Sequence, residues 1–245
     1  MYEFILERVM VMHFLRQLCV CLGFMAISSS GAQMTEWDQL KHATYRDGGK
    51  IPYLLSARNP QSPTTVFILQ PGGSGSMYLW ANFLIRSRSL FADEQTLVVT
   101  TDATSSPERI QAIIEDLNQA YPGLKAFLIG TSNGTFSTMR LGHSLDGQIA
   151  GFIHTSSLNA LSSYDTRAFK SRHLIVHHEE DGCRLTLYSA ALGNHQKFGT
   201  DFISVRGGSS VGDPCMAHSH HGYHGIEKDV VQRIKAWAMG SEFPP

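Results

Sequence analysis

Charge is scarce and balanced in this chain. Asp, Glu, Lys and Arg make up 17% of the 245 residues, 20 basic against 21 acidic, so no field of one sign is available to recruit nucleic acid or an anionic membrane. No internal repeat, low-complexity tract or linker divides it. The N-terminal apolar run, "LCVCLGFMAI", is shorter than the roughly 18–20 residues that span a bilayer. Missing too are a glycine-rich loop ending in Lys-Ser/Thr and a G-x-G-x-x-G turn, which argues against nucleotide binding. What remains is an ordinary globular composition, 42% apolar, long enough for one sizeable core and one domain.

Cysteine is also rare, four in all, and its positions divide it. Arg16 precedes the apolar run, and the small residues "SSSGAQ" follow, with Ser30 and Ala32 at small-x-small spacing. That pattern predicts a secretory leader over residues 1–32, with Met12 as an alternative start, and a mature domain over 33–245 exported to the periplasm or outside the cell. No membrane anchor would remain after cleavage. Cys19 and Cys21 would leave with the leader, and an exported chain holding only Cys183 and Cys215 is expected to pair them; without export they would be free thiols.

Past the leader, Asp47, Gly48 and Gly49 lie between two extended stretches, the chemistry of a β-hairpin. Six short β-branched runs follow: "TVFILQ", "TLVVTT", "KAFLIG", "IAGFIH", "HLIVHH" and "DFISV". Most are separated by helix-like segments, as in a largely parallel sheet covered on both faces. In "SSPERIQAIIEDLNQAY", Ile110, Ile113, Ile114, Leu117 and Tyr121 recur at helical spacing behind Ser106 and Pro107, a cap and first-turn pair. In "HGIEKDVVQRIKAWA", Ile226, Val230, Val231, Ile234 and Trp237 make a second stripe, with acids early and bases late.

One serine stands in a special setting. "KAFLIGTSNG" carries Ser132 between Gly130 and Gly134, directly after a buried-strand run and before a helix expected at about 134–143. A serine hydroxyl needs exposure and a base, and a sharp strand-to-helix turn supplies the exposure if its flanks stay small. The first amides of that helix would help hold an oxyanion, the N–H of Asn133 among them.

From about residue 35 onward the chain resembles a small α/β-hydrolase-fold protein. The motifs occur in that family's order: the hairpin, "VFILQPGGSG", "GTSNG", "VHHEEDGC" and "HHGYHGIEKDVVQRIKAW". The resemblance implies an α/β fold with a mostly parallel central sheet, helices on both faces, an N-terminal hairpin and a minimal cap. It implies a Ser, acid, His order met by Ser132, Asp181 and His221, with Glu179 and Glu180 as rival acids and His224 as rival base. It places the second oxyanion amide at Gly73 or Ser74, and it gives a Cys183–Cys215 bond the role of tying the acid loop to the base loop. Tyr78, Trp80, Leu158 and Tyr164 are expected to form an apolar acyl pocket, left open by a segment of about twenty residues where larger relatives insert a lid.

The histidines at 177, 178, 218, 220, 221 and 224 form two clusters that offer enough nitrogens for zinc, yet neither an H-E-x-x-H helix nor a cysteine set accompanies them. No metal or cofactor is expected. The reading is an exported serine hydrolase acting on a small-molecule carboxylic ester through an acyl-enzyme. A thioesterase or amidase with the same triad, or a catalytically silent binding protein of the same fold, are the alternatives.

Overall fold

The computed structural model describes residues 34–241; the expected leader, with Cys19 and Cys21, lies outside the described residues. Eight strands form one sheet: β1 (Asp38–Thr44), β2 (Lys50–Ser56), β3 (Thr65–Gln70), β4 (Thr96–Thr100), β5 (Lys125–Thr131), β6 (Gly151–Thr155), β7 (Arg172–His178) and β8 (Asp201–Val205). Their spatial order is β1-β2-β4-β3-β5-β6-β7-β8. The first two pairings are antiparallel and the rest parallel. The hairpin turn closes with Tyr45 N–H donating to Gly49 O at 2.8 Å and Gly49 N–H to Asp47 Oδ1 at 2.9 Å.

Every residue of β3 is buried because helices cover both faces of the sheet. Phe67 and Leu69 face a core shared with α1 (Phe83–Arg86), α2 (Arg88–Phe91) and α6 (Glu227–Met239). Val66 and Ile68 face the opposite core, closed by α3 (Pro107–Ala120) and α4 (Gly134–Ser144). The remaining helix, α5 (Tyr188–Phe198), packs with the short turn Asn159–Ser163 beside β7. No helix among the described residues is long and apolar enough to cross a membrane.

The helix signals act as read, with shifts at the ends. Ser106 Oγ accepts from Arg109 N–H at 3.2 Å, and Pro107 fills the first turn of α3, where its missing N–H is no loss. Tyr121 caps the C-terminus of α3 and Ile226 the N-terminus of α6, although each belongs to its apolar stripe. The helix-like spacing runs one residue past the backbone helix in both cases.

Two histidines are buried between strands and helix. Thr138 Oγ1 donates to Thr135 O, His154 Nδ1 lies 2.9 Å from Thr138 Oγ1, and His154 Nε2 lies 3.2 Å from His173 Nδ1. Burial holds His154 far below the usual imidazole range and lowers His173 to about 4. Both are therefore neutral in the fold, whereas the unfolded chain takes up protons below about pH 6.5. Stability contributed by these groups is complete above that pH and is lost as pH falls toward 4, on the order of 3 kcal/mol for His173 alone. Urea midpoints are expected to drop between pH 7.5 and pH 5. An unchanged midpoint over that interval would refute the assignment.

Candidate active site

The strand-to-helix turn after β5 is as tight as its glycines require. Ser132 has φ +50°, a left-handed conformation that non-glycine residues seldom adopt. Its N–H donates to Thr155 O at 3.0 Å, and its carbonyl accepts from Thr135 N–H and Oγ1 at 2.9 and 2.6 Å. A Cβ on Gly130 would sit 2.5 Å from Gly134 O, and one on Gly134 would sit 2.2 Å from Gln70 O. Backbone occupies the space on both sides, so neither glycine can be replaced without displacing a strand end.

Asp181 lies in the loop after β7, and His221 in a single turn, His220–Gly222, ahead of α6. They are 40 residues apart in sequence, and His221 Nδ1 lies 3.0 Å from Asp181 Oδ2, with both side chains buried. Burial favours the neutral acid. Hydrogen bonds from His177 and His221, the charge His221 can carry, and the Cys183 N–H at 2.9 Å outweigh it and hold the Asp181 carboxyl well below the usual carboxylate range. The rival acids are engaged elsewhere: Glu179 with Ser204 and Arg206, and the exposed Glu180 beside His220. His224, the rival base, is 3.8 Å from Glu227 and packs on the His218 ring.

Cys183 and Cys215 are bonded, with Cα atoms 4.6 Å apart and a sequence separation of 32. The bond joins the loop of Asp181 to the loop of His221. Closing a loop of this length restricts the unfolded chain by about 3–4 kcal/mol. A Cys183→Ser/Cys215→Ser variant is expected to lose stability of that order in urea unfolding at pH 7.5, and an unaltered midpoint would contradict it.

Ser132 and His221 line the same cavity, of about 460 Å³, together with Gly73 and Ser74 of the turn after β3. Asn133 Nδ2 donates to Gly73 O at 3.0 Å, which fixes that turn against the start of α4. Asn133 is the N-cap residue of α4, whose first amides have no helical acceptor. Tyr78 and Trp80 also line the cavity. Leu158 and Tyr164, expected with them, do not: Leu158 caps the Asn159–Ser163 turn, and Tyr164 packs against α4 over Gly142, beside Phe169 and His173. The segment after β6 is tied to the neighbouring helices instead: Leu158 N–H donates to Thr135 Oγ1 of α4 at 3.1 Å, and Asn194 Nδ2 of α5 donates to Leu161 O and Tyr164 O at 2.6 and 2.8 Å.

Several bracing groups went unread in the sequence. Thr186 Oγ1 lies 3.1 Å from Asp181 Oδ2 and 3.0 Å from His221 Nδ1, touching both members of the couple. His177 Nε2 lies 2.8 Å from Thr186 O and 3.3 Å from Asp181 Oδ2. Ser156 Oγ donates to His221 O at 2.6 Å, and Arg86 joins Gly222 O to Glu227. Ser132, Ser156 and Tyr223 are three of the four non-glycine residues with positive φ among the described residues, so the strained backbone clusters around this site. Single threonines, serines and arginines carry no motif, and only the pair His177-His178 was conspicuous.

One trio places possible metal ligands within 4.8 Å of one another: His178, Glu180 and His220. His178 Nε2 is 2.8 Å from Gly207 O, and its Nδ1 accepts from Glu180 N–H at 3.0 Å, so both ring nitrogens are engaged. The His178 and His220 rings stack at 4.3 Å. The trio is a hydrogen-bonded bridge between the loop of Asp181 and the loop of His221.

No protein-family model matches the sequence, and no curated protein matches it significantly. Solved structures do match in backbone. A dienelactone hydrolase from Anabaena variabilis superposes with a TM-score of 0.63 at 12% identity, over 84% of this chain and 99% of that one. A serine hydrolase without a lid from Xanthomonas campestris gives 0.59 at 13% identity, over 82% and 96%. The esterase domain of a Rhodothermus marinus protein gives 0.58 at 13% identity, over 84% and 98%. With an eight-stranded, mostly parallel sheet in this order and helices on both faces, the chain has the α/β-hydrolase fold.

Proposed function

We propose that this chain is an exported serine hydrolase that cleaves carboxylic esters through Ser132, His221 and Asp181. The observation that carries the reading is the buried His221–Asp181 couple, at 3.0 Å, sharing one cavity with a serine on a strained turn. With Nδ1–H committed to Asp181, His221 presents Nε2 as the base. It takes the proton from Ser132 Oγ as that oxygen attacks the ester carbonyl. Backbone amides at Asn133 and at Gly73 or Ser74 stabilise the tetrahedral oxyanion. His221 then protonates the leaving alkoxide, and water activated by the same imidazole hydrolyses the acyl-enzyme. Asp181 orients the ring and supports the imidazolium without itself taking up the proton. The backbone likeness to esterases and a lidless serine hydrolase supports the same reaction class. The leader-like N-terminus and the Cys183–Cys215 bond support export.

The test is labelling of the oxidised protein with a fluorescent fluorophosphonate, together with turnover of p-nitrophenyl butyrate. Labelling with turnover is the expected result. A folded protein that neither labels nor turns over the ester would return the chain to a binding role.

A further inference from the structure

The cavity at Ser132 is distinguished by what its wall lacks. Among the residues that line it, His221 is the only titratable one apart from the phenol of Tyr78, and there is no Lys, Arg, Asp or Glu. The nearest arginines in sequence are committed. Arg86 binds Glu227, Ala81 O and Gly222 O, while Arg88 pairs with Asp38. One wall is Leu79, Trp80 and Phe83, which continue from the oxyanion turn; Met216 and Ala217, beside the disulfide, also line the space. Trp80 is held in place, with the Tyr78 ring edge-on at 5.9 Å and the Arg88 guanidinium 5.3 Å from its centroid. Met216 is 62% exposed, and its unbranched thioether can follow the shape of what enters.

We infer that the substrate is an uncharged ester with a bulky apolar acyl group seated against the wall of Leu79, Trp80 and Phe83; the inference rests on the hydrolase reading above. The wall that adjoins the oxyanion turn lies next to the carbonyl, whereas the leaving oxygen must face His221. That assigns the wall of Leu79, Trp80 and Phe83 to the acyl side. An acetyl group leaves most of about 460 Å³ to water. A longer acyl chain expels that water, and each methylene buried against the wall is worth about fourfold. A carboxylate on the acyl chain would lose its water with no cation to receive it, which is strongly unfavourable.

The experiment measures kcat/KM at pH 7.5 for p-nitrophenyl acetate, butyrate, hexanoate and benzoate, and for mono-p-nitrophenyl succinate, on the full oxidised chain. Expected is a rise of up to roughly two-hundredfold from acetate to hexanoate. Benzoate should be accepted, and the anionic succinate ester should fall at least about tenfold below butyrate. Trp80→Ala should lower the hexanoate-to-acetate ratio. A flat or falling chain-length series, or a succinate ester as good as butyrate, would overturn the inference. So would fluorophosphonate labelling of Ser132 without turnover of any of the five esters. Absence of both labelling and turnover would instead sink the hydrolase reading itself.

Discussion

Ser132→Ala is expected to abolish fluorophosphonate labelling and to lower kcat for p-nitrophenyl butyrate by about 10⁴–10⁶-fold. The substitution removes one oxygen and leaves the turn intact. Alanine meets the same backbone penalty as serine at φ +50°, and the hydrogen bonds that fix the turn come from the Ser132 backbone rather than from its hydroxyl. The urea midpoint should therefore stay close to that of the wild type. A residual rate above water would remain, because the oxyanion amides proposed at Asn133 and at Gly73 or Ser74 are untouched by the substitution. A variant that keeps a tenth of the wild-type rate would show that another group attacks, and the proposed mechanism would fail.

Asp181→Asn should cost about 10⁴-fold in kcat with KM little changed. The amide has the size of the carboxyl, so packing around Thr186 and Cys183 survives. One of its two ends is a donor, however, and a donor facing Nδ1 drives the imidazole to the tautomer whose proton points at Ser132. The base is then already protonated where it must accept. In the wild type the depressed Asp181 pKa means that the carboxylate persists below pH 4, so it does not set the acidic limb of the rate profile. The sign for stability follows. A carboxyl lowered in the fold contributes stability that is present above its unfolded value of about 3.9 and is lost as pH falls below it. Asp181→Asn should thus unfold in acid with a shallower dependence below pH 4 than the wild type. Equal rates for variant and wild type between pH 6 and 8 would remove Asp181 from the mechanism.

What was legible in the sequence was local. The short β-branched runs, the stripes of α3 and α6, the Ser106-Pro107 start and the Asp-Gly-Gly turn all depend on neighbours a few residues away, and each formed where its pattern placed it. The small residues around Ser132 were legible for the same reason, since sterics at a tight turn act between adjacent residues and the strands they join. The helix ends were less so, because an apolar stripe continues onto a cap residue that has left the helical conformation.

Tertiary structure alone decided which side chains meet. Glu179, Glu180 and Asp181 are consecutive and chemically alike; Asp181 alone among them comes within 3.0 Å of His221 because the loop after β7 and the loop before α6 converge at the carboxyl ends of the strands. The same convergence paired Cys183 with Cys215 and brought Thr186 and His177 onto the acid. It also brought Tyr78 and Trp80 to the cavity and left Leu158 and Tyr164 outside it. A sequence determines its own strands and turns through interactions that reach a few residues. The partners of a side chain forty residues away are set by how the crossover connections stack those strands, and that was decided only in the folded sheet.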